Sequence, residues 1–182
     1  MRAGIATIAL RKYDVFHAID LVAEAGFEGV EVWGKPPHTP EPYDEDHLHK
    51  VRQRMVDNGL EVSMFGSYAR PVLPDFAEES EEALKAAKAL GAKIIRTWAG
   101  SKEPHEADDE LWDFVAKSLH EFALVAEFNG ITLALEMHGG TLCATPEGFL
   151  RLVEQVNAPN LKLNYQIIDP RKPDMERTIS MV

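Results

Sequence analysis

The chain has 182 residues, of which 45% are hydrophobic and 27% charged, and its formal net charge is −11. That length buries a sizeable core in one domain, and so acidic a chain lacks the basic surface that non-specific nucleic-acid binding needs, although a locally positive pocket for a small anion stays open. A lone cysteine, Cys143, excludes an internal disulfide and suits a reducing cytoplasm, while the opening "MRAGIATIALRKYD" is too short an apolar run for a signal peptide and no stretch is long enough to span a bilayer.

The first strand is predicted over 3–10, followed by a helix over 14–25 that stops at Gly26. A strand over 29–33 leads to a helix over 44–58 ending at Gly59, then a strand over 60–66 to a helix over 76–90 ending at Gly91. The strand over 93–99 precedes a long helix over 107–129 that ends at Gly130. The strand over 131–138 feeds a helix over 146–157, with Thr145 as its N-cap and Pro146 at the first helical position. A last strand over 161–167 and a helix from 173 onward complete the series. The four glycines lie roughly 30–40 residues apart, the length of one strand–loop–helix unit, and each suits the left-handed position just past a helix end.

This order implies a parallel α/β sheet with right-handed crossovers. A doubly wound sheet and a (β/α)8 barrel both satisfy it. No Gly-rich phosphate loop follows the first strand, where "ALRKYD" stands, which weakens the dinucleotide-binding version. The alternation favours the barrel. Ile131, Leu133 and Leu135 face the helices, whereas Thr132, Ala134, Glu136 and His138 face the other way. Likewise Val30 and Val32 oppose Glu31 and Trp33, Arg96 and Trp98 share one face, and Lys162, Asn164 and Gln166 oppose Leu161, Leu163 and Tyr165. Open α/β sheets are usually apolar on both faces, so polar residues recurring toward the strand C-terminal ends fit a barrel mouth. About six strands are present where a closed barrel has eight. The expectation is therefore a single domain over 1–182, lacking the last two strands; a partner chain on the open edge is the less favoured alternative.

Glu136 is the foremost candidate for chemistry, standing at a strand C-terminal end; the competing reading is a carboxylate that neutralises Arg96 or Lys162. His138, two residues on, can be a metal ligand, a general acid, a donor to substrate oxygen, or a rim histidine beside Gly139 and Gly140. Trp33, Phe65 and Trp98 either wall a sugar pocket or plug the core. Arg96 can grip a carboxylate or phosphate bidentately, or pair with Glu31 or Glu136. Asn164 faces inward as a further substrate-binding candidate. The segment "YDEDHLHKVRQRM" reads as a solvated helix start with acids at its positive end, and Cys143 has no base beside it in sequence.

The stretches "AGFEGVEVWG", "KALGAKIIRTWAG" and "ITLALEMHGGTLCATPEGFLRLVEQVNAPNLKLNYQ" resemble the xylose isomerase-like TIM-barrel superfamily. That group includes sugar-phosphate isomerases and epimerases, hydroxypyruvate isomerase, inosose dehydratase and endonuclease IV-type enzymes. The resemblance covers essentially the whole chain, as the first three-quarters of such a barrel. It implies a divalent metal (manganese, magnesium, cobalt or zinc) held by a glutamate ending the fifth strand, which Glu136 matches. The next family ligand is an aspartate ending the sixth strand, where this sequence has Gln166, a neutral donor. A histidine and a glutamate from the seventh and eighth strands lie beyond the sequence. The implied activity is isomerisation or epimerisation of a small sugar, sugar phosphate or polyol through a metal-stabilised enediolate. Glu136 would bind the metal and move the proton, Gln166 would be a weak ligand or orient substrate, and His138 would bind a substrate oxygen. Implied partners are a small sugar, no nucleic acid and no membrane, with a homo-oligomer compatible. The alternatives are a sugar-binding barrel without metal or catalysis and, less favoured given the charge of −11, an endonuclease IV-like repair enzyme.

Overall fold

The computed structural model describes residues 2–167 and 175–181. Six strands are formed: β1 Gly4–Ala6, β2 Gly29–Trp33, β3 Glu61–Gly66, β4 Ile94–Thr97, β5 Thr132–Glu136 and β6 Leu161–Asn164. Between and after them run α1 Val15–Glu24, α2 Glu45–Asp57, α3 Phe76–Leu90, α4 Asp109–Phe128, α5 Pro146–Val156 and α6 Met175–Met181. The strands form one sheet in the order β1-β2-β3-β4-β5-β6. Sequential parallel neighbours joined by helices are the arrangement of a (β/α)8 barrel, of which six units are present. The helix expected from 173 onward is seen as α6; residues 173, 174 and 182 lie outside the described residues.

One strand is shorter than its sequence suggests. Residues 3–10 read as extended, yet β1 ends at Ala6 and Thr7–Leu10 coil into a 3-10 turn. The cause is local. Thr7 is fully buried, and its hydroxyl oxygen accepts the Trp33 N–H at 3.0 Å, a donor that a longer β1 would have taken into the ladder. A side-chain oxygen replaces the backbone partner, and the chain is free to turn.

The chain divides into two compact units. The first comprises Met1–Tyr68 and Glu78–Ile95, the second Ala69–Ala77 and Arg96–Val182. In the first, Asp14 caps α1 by accepting from the Phe16 and His17 N–H groups at 3.0 Å each, and those donors hold its carboxyl below the usual range. Asp44 caps α2 in the same way, so the acidic helix start is a structural cap with Glu45 and Asp46 in the first turn. Val15, Ala18, Ile19 and Val22 of α1 and Leu48, Val51 and Met55 of α2 are buried, the 3-4 spacing of an amphipathic stripe. In the second unit α4 packs on α5 and on β5. Thr145 caps α5, its hydroxyl accepting the Gly148 N–H at 3.1 Å, with Pro146 in the first turn as the sequence predicts. Gly26, Gly59, Gly91 and Gly130 all take the left-handed conformation, with φ of 78°, 68°, 74° and 67°. Among the described residues no helix is long and apolar enough to cross a membrane.

Candidate active site

The second unit gathers the chemistry. Leu133 and Leu135 of β5 are fully buried on one face, which turns Ala134 and Glu136 to the other. Glu136, the last residue of β5, is only 4% exposed, and a carboxylate so placed must be compensated. Arg96 of β4 supplies the compensation: its Nη1 donates to Glu136 Oε2 at 2.6 Å. Two strands thus present opposite charges on one face at the C-terminal end of the sheet. Of the pairings open in the sequence, Arg96 with Glu136 is formed. Glu136 Oε1 has no protein donor among the described residues, so one carboxylate oxygen is left for a ligand.

Trp98, just past β4, is the hub of the cluster. The Arg96 guanidinium lies 5.1 Å from its ring centroid and that of Arg70 4.6 Å, while the His138 ring meets it edge-on at 4.7 Å. The electron-rich indole face attracts both cations. His138 is half-buried, and its Nδ1 lies 2.6 Å from the Gly139 carbonyl oxygen. A carbonyl only accepts, so Nδ1 carries a proton and Nε2 is the ring nitrogen left to meet a ligand. With Nδ1 engaged, Nε2 is the ring atom that faces a ligand, an acceptor in the singly protonated ring and a donor in the doubly protonated one.

The turn after His138 is fixed from several sides. Gly140 adopts φ of 74° and donates its N–H to Glu103 Oε1 at 3.0 Å. Thr141 Oγ1 donates to the His138 carbonyl at 2.8 Å, and the Leu142 N–H to the Ala99 carbonyl at 2.8 Å. Glu103 is itself held in a reciprocal capping box with Glu106. Cys143 is fully buried; burial and then the Glu136 charge push its thiol up, so it stays protonated and is no nucleophile.

The metal set implied by the resemblance meets these residues poorly. Glu136 already gives Oε2 to a guanidinium. Asn164 is half-buried and stands in register with Glu136, whereas Gln166 is exposed beyond the end of β6. Among the described residues no group of three or more His, Cys, Asp or Glu side chains can hold an ion. One carboxylate oxygen and one neutral amide are too few for a hard cation that takes about six oxygens. These residues do not fit a metal centre by themselves.

The remaining aromatic candidates belong to the first unit. Phe65 is fully buried and edge-on to Tyr43 at 5.6 Å, packed as a core residue would be. Trp33 is half-buried, its Nε1 donating to the Tyr68 hydroxyl at 2.9 Å. Beside it lies His38, which no sequence pattern singles out. His38 is fully buried, with Nε2 3.0 Å from the Tyr13 carbonyl and Nδ1 2.9 Å from Thr7 Oγ1. Nε2 must donate to the carbonyl, so Nδ1 accepts the Thr7 hydroxyl hydrogen. Burial lowers the His38 pKa and keeps it neutral. Arg70 and Glu103 also escape the sequence reading; the one available signal is their position in loops that follow strands.

Residues 19–169 match the family described as xylose isomerase-like TIM barrel. A 3-dehydroshikimate dehydratase of Bacillus anthracis is 30% identical over 178 residues, which cover 92% of this chain and 62% of that protein. A hydroxypyruvate isomerase of Escherichia coli (strain K12) is 24% identical, over 93% of this chain and 70% of that protein. Among solved structures, a xylose isomerase-like TIM-barrel protein from Mycobacterium smegmatis, in complex with magnesium, superposes with a TM-score of 0.79 at 17% identity, covering 100% of this chain and 71% of that one. At that identity the likeness is one of fold. The chain spans less than two thirds of the length of the Bacillus relative.

Proposed function

The chain belongs to the xylose isomerase-like TIM-barrel family, and from that premise we propose that it carries the Glu136 half of the site of an enzyme that isomerises or epimerises a small sugar, sugar phosphate or polyol. The observation that carries the reading is the buried Arg96–Glu136 pair at the strand ends, with one carboxylate oxygen left without a protein donor among the described residues. Isomerisation or epimerisation of a hydroxy ketone begins when a base removes the proton from the carbon next to the carbonyl. Glu136 is that base. Arg96 fixes its orientation through Oε2, and Oε1 takes the proton. His138 Nε2 accepts a substrate hydroxyl hydrogen, and Asn164, in register with Glu136, hydrogen-bonds a second substrate oxygen. Returning the proton to the neighbouring carbon completes an isomerisation; returning it to the other face completes an epimerisation.

A second reading has a specific observation behind it. The Bacillus relative at 30% identity is a dehydratase. Proton removal next to a carbonyl is also a first step toward loss of water, when a hydroxyl on the adjacent carbon then leaves. The same Glu136 serves both outcomes, and the product separates them.

The test is proton NMR of the full-length protein with a panel of hydroxy ketones in deuterated water. Deuterium is expected to enter next to the carbonyl, with an isomer or epimer accumulating, and Glu136→Gln to lose the exchange by about 100-fold or more. An exchange rate in Glu136→Gln equal to that of the wild type would overturn the assignment, and an unsaturated product would select the dehydratase.

A further inference from the structure

Among the described residues Arg70 is a guanidinium without an anion. It makes no ion pair and no side-chain hydrogen bond there; its contact is with the Trp98 ring, at 4.6 Å. Arg96, on the same ring, is by contrast committed to Glu136. Arg70 is half-buried, so it has lost part of its water, and stacking on an aromatic ring restricts a long side chain that would otherwise sweep through solvent.

The backbone under Arg70 is held in place. The carbonyl of Ala69 accepts both the Trp98 N–H at 3.3 Å and the Thr97 hydroxyl at 3.0 Å, which ties the start of this loop to the end of β4. Two residues on, Val72 has φ of 96°, a conformation that a β-branched residue adopts only at a cost. A loop strained on one side and tied on the other presents Arg70 in one place, beside the ring that Arg96 and His138 also touch. A guanidinium offers five donors in a planar fork that matches an oxyanion bidentately.

We infer that Arg70 is the residue that selects an anionic substrate, binding a carboxylate or phosphate of a small hydroxy ketone whose carbonyl end lies toward Glu136. This deepens the proposed function and rests on it for the identity of the ketone. The overall charge of −11 does not oppose it, because the selection is made by a local cation.

The experiment uses three probes that share one ketone and differ in charge: dihydroxyacetone, hydroxypyruvate and dihydroxyacetone phosphate. Equilibrium binding to the full-length protein is measured by NMR line broadening, and deuterium exchange next to the carbonyl is followed in the same samples. Wild type is expected to bind one of the two anions roughly tenfold or more tighter than dihydroxyacetone, the scale of a charge-assisted bidentate contact. The anion preferred identifies the carboxylate or the phosphate. Arg70→Gln should bring the ratio close to one. Arg70→Lys, which keeps the charge and loses the fork, should leave an intermediate ratio and serves if the glutamine variant fails to fold. No preference in wild type, or a preference that survives in both variants, overturns the inference. Exchange separates the two readings: an Arg70-dependent preference without exchange leaves Arg70 standing and removes the isomerase, whereas exchange with no Arg70 dependence does the reverse.

Discussion

The Arg96–Glu136 pair permits a test of whether it stabilises the fold, serves chemistry, or both. Its side chains are 9% and 6% exposed, so solvent screens them little and removal of either leaves the other charge stranded. Such a loss costs about 3–5 kcal/mol. For a chain of this size each kcal/mol moves the melting temperature by roughly 2–4 °C, so Arg96→Met and Glu136→Leu should each lower it by roughly 6–20 °C. The double variant removes both charges and replaces them with apolar groups of similar bulk, and Met preserves contact with the Trp98 ring. It should recover most of the loss, because replacing a buried pair outright is close to neutral. Far-UV circular dichroism melts of the four proteins read the cycle, and deuterium exchange on the same samples reads activity. The expected result is a double variant that is stable and inactive. Single variants melting within about 1 °C of wild type, or a double variant as damaged as the sum of its parents, would refute the energetics. A double variant that is stable and fully active would make the pair structural alone.

His38 gives a pH dependence with a definite sign. Its folded-state pKa lies below its unfolded value because burial disfavours the charged ring, so the unfolded chain binds the extra proton first. The contribution of His38 to stability is complete above about pH 6.5, the model-peptide value, and is lost as pH falls through the lower folded-state pKa. Urea unfolding at pH 7.5 and 5.5 should show a larger loss in wild type than in His38→Gln, and equal losses would sink the assignment. Gly148 lies in the first turn of α5, where a Cβ would come 2.1 Å from the Leu142 carbonyl oxygen. Gly148→Ala must push backbone apart, and should cost about 1–3 kcal/mol in a thermal melt. A melting temperature equal to that of wild type would show that the α5 start shifts freely.

What the sequence discloses here follows from where a residue sits. Strand residues declare their facing through the period of two, and strand order follows from short crossovers. That is why Arg96 and Glu136, 40 residues apart, stand among the few pairings that the sequence leaves open, beside Lys162 and Glu31: each lies on a strand, the strands are consecutive, and both face the same side. Helix ends are legible for a similar reason, since Gly130 and Thr145 state their backbone needs locally. The shortened β1 is illegible because the Thr7 hydroxyl answers to Trp33, a partner that no local pattern announces. Phe65 and Trp98 both read as mouth or core and both are buried, so only their neighbours separate them, one against Tyr43 and the other beneath two guanidiniums. Arg70 and Glu103 stay hidden for a stronger reason. Loops carry no period, so nothing in "YARPV" states that Ala69 is tied to β4 or that the next side chain stacks on Trp98. On the proposed function, the strand residue Glu136 bears on the reaction and the loop residue Arg70 on what the site accepts. On this division a substitution at Glu136 should change whether exchange occurs at all, while one at Arg70 should change which ketone is taken.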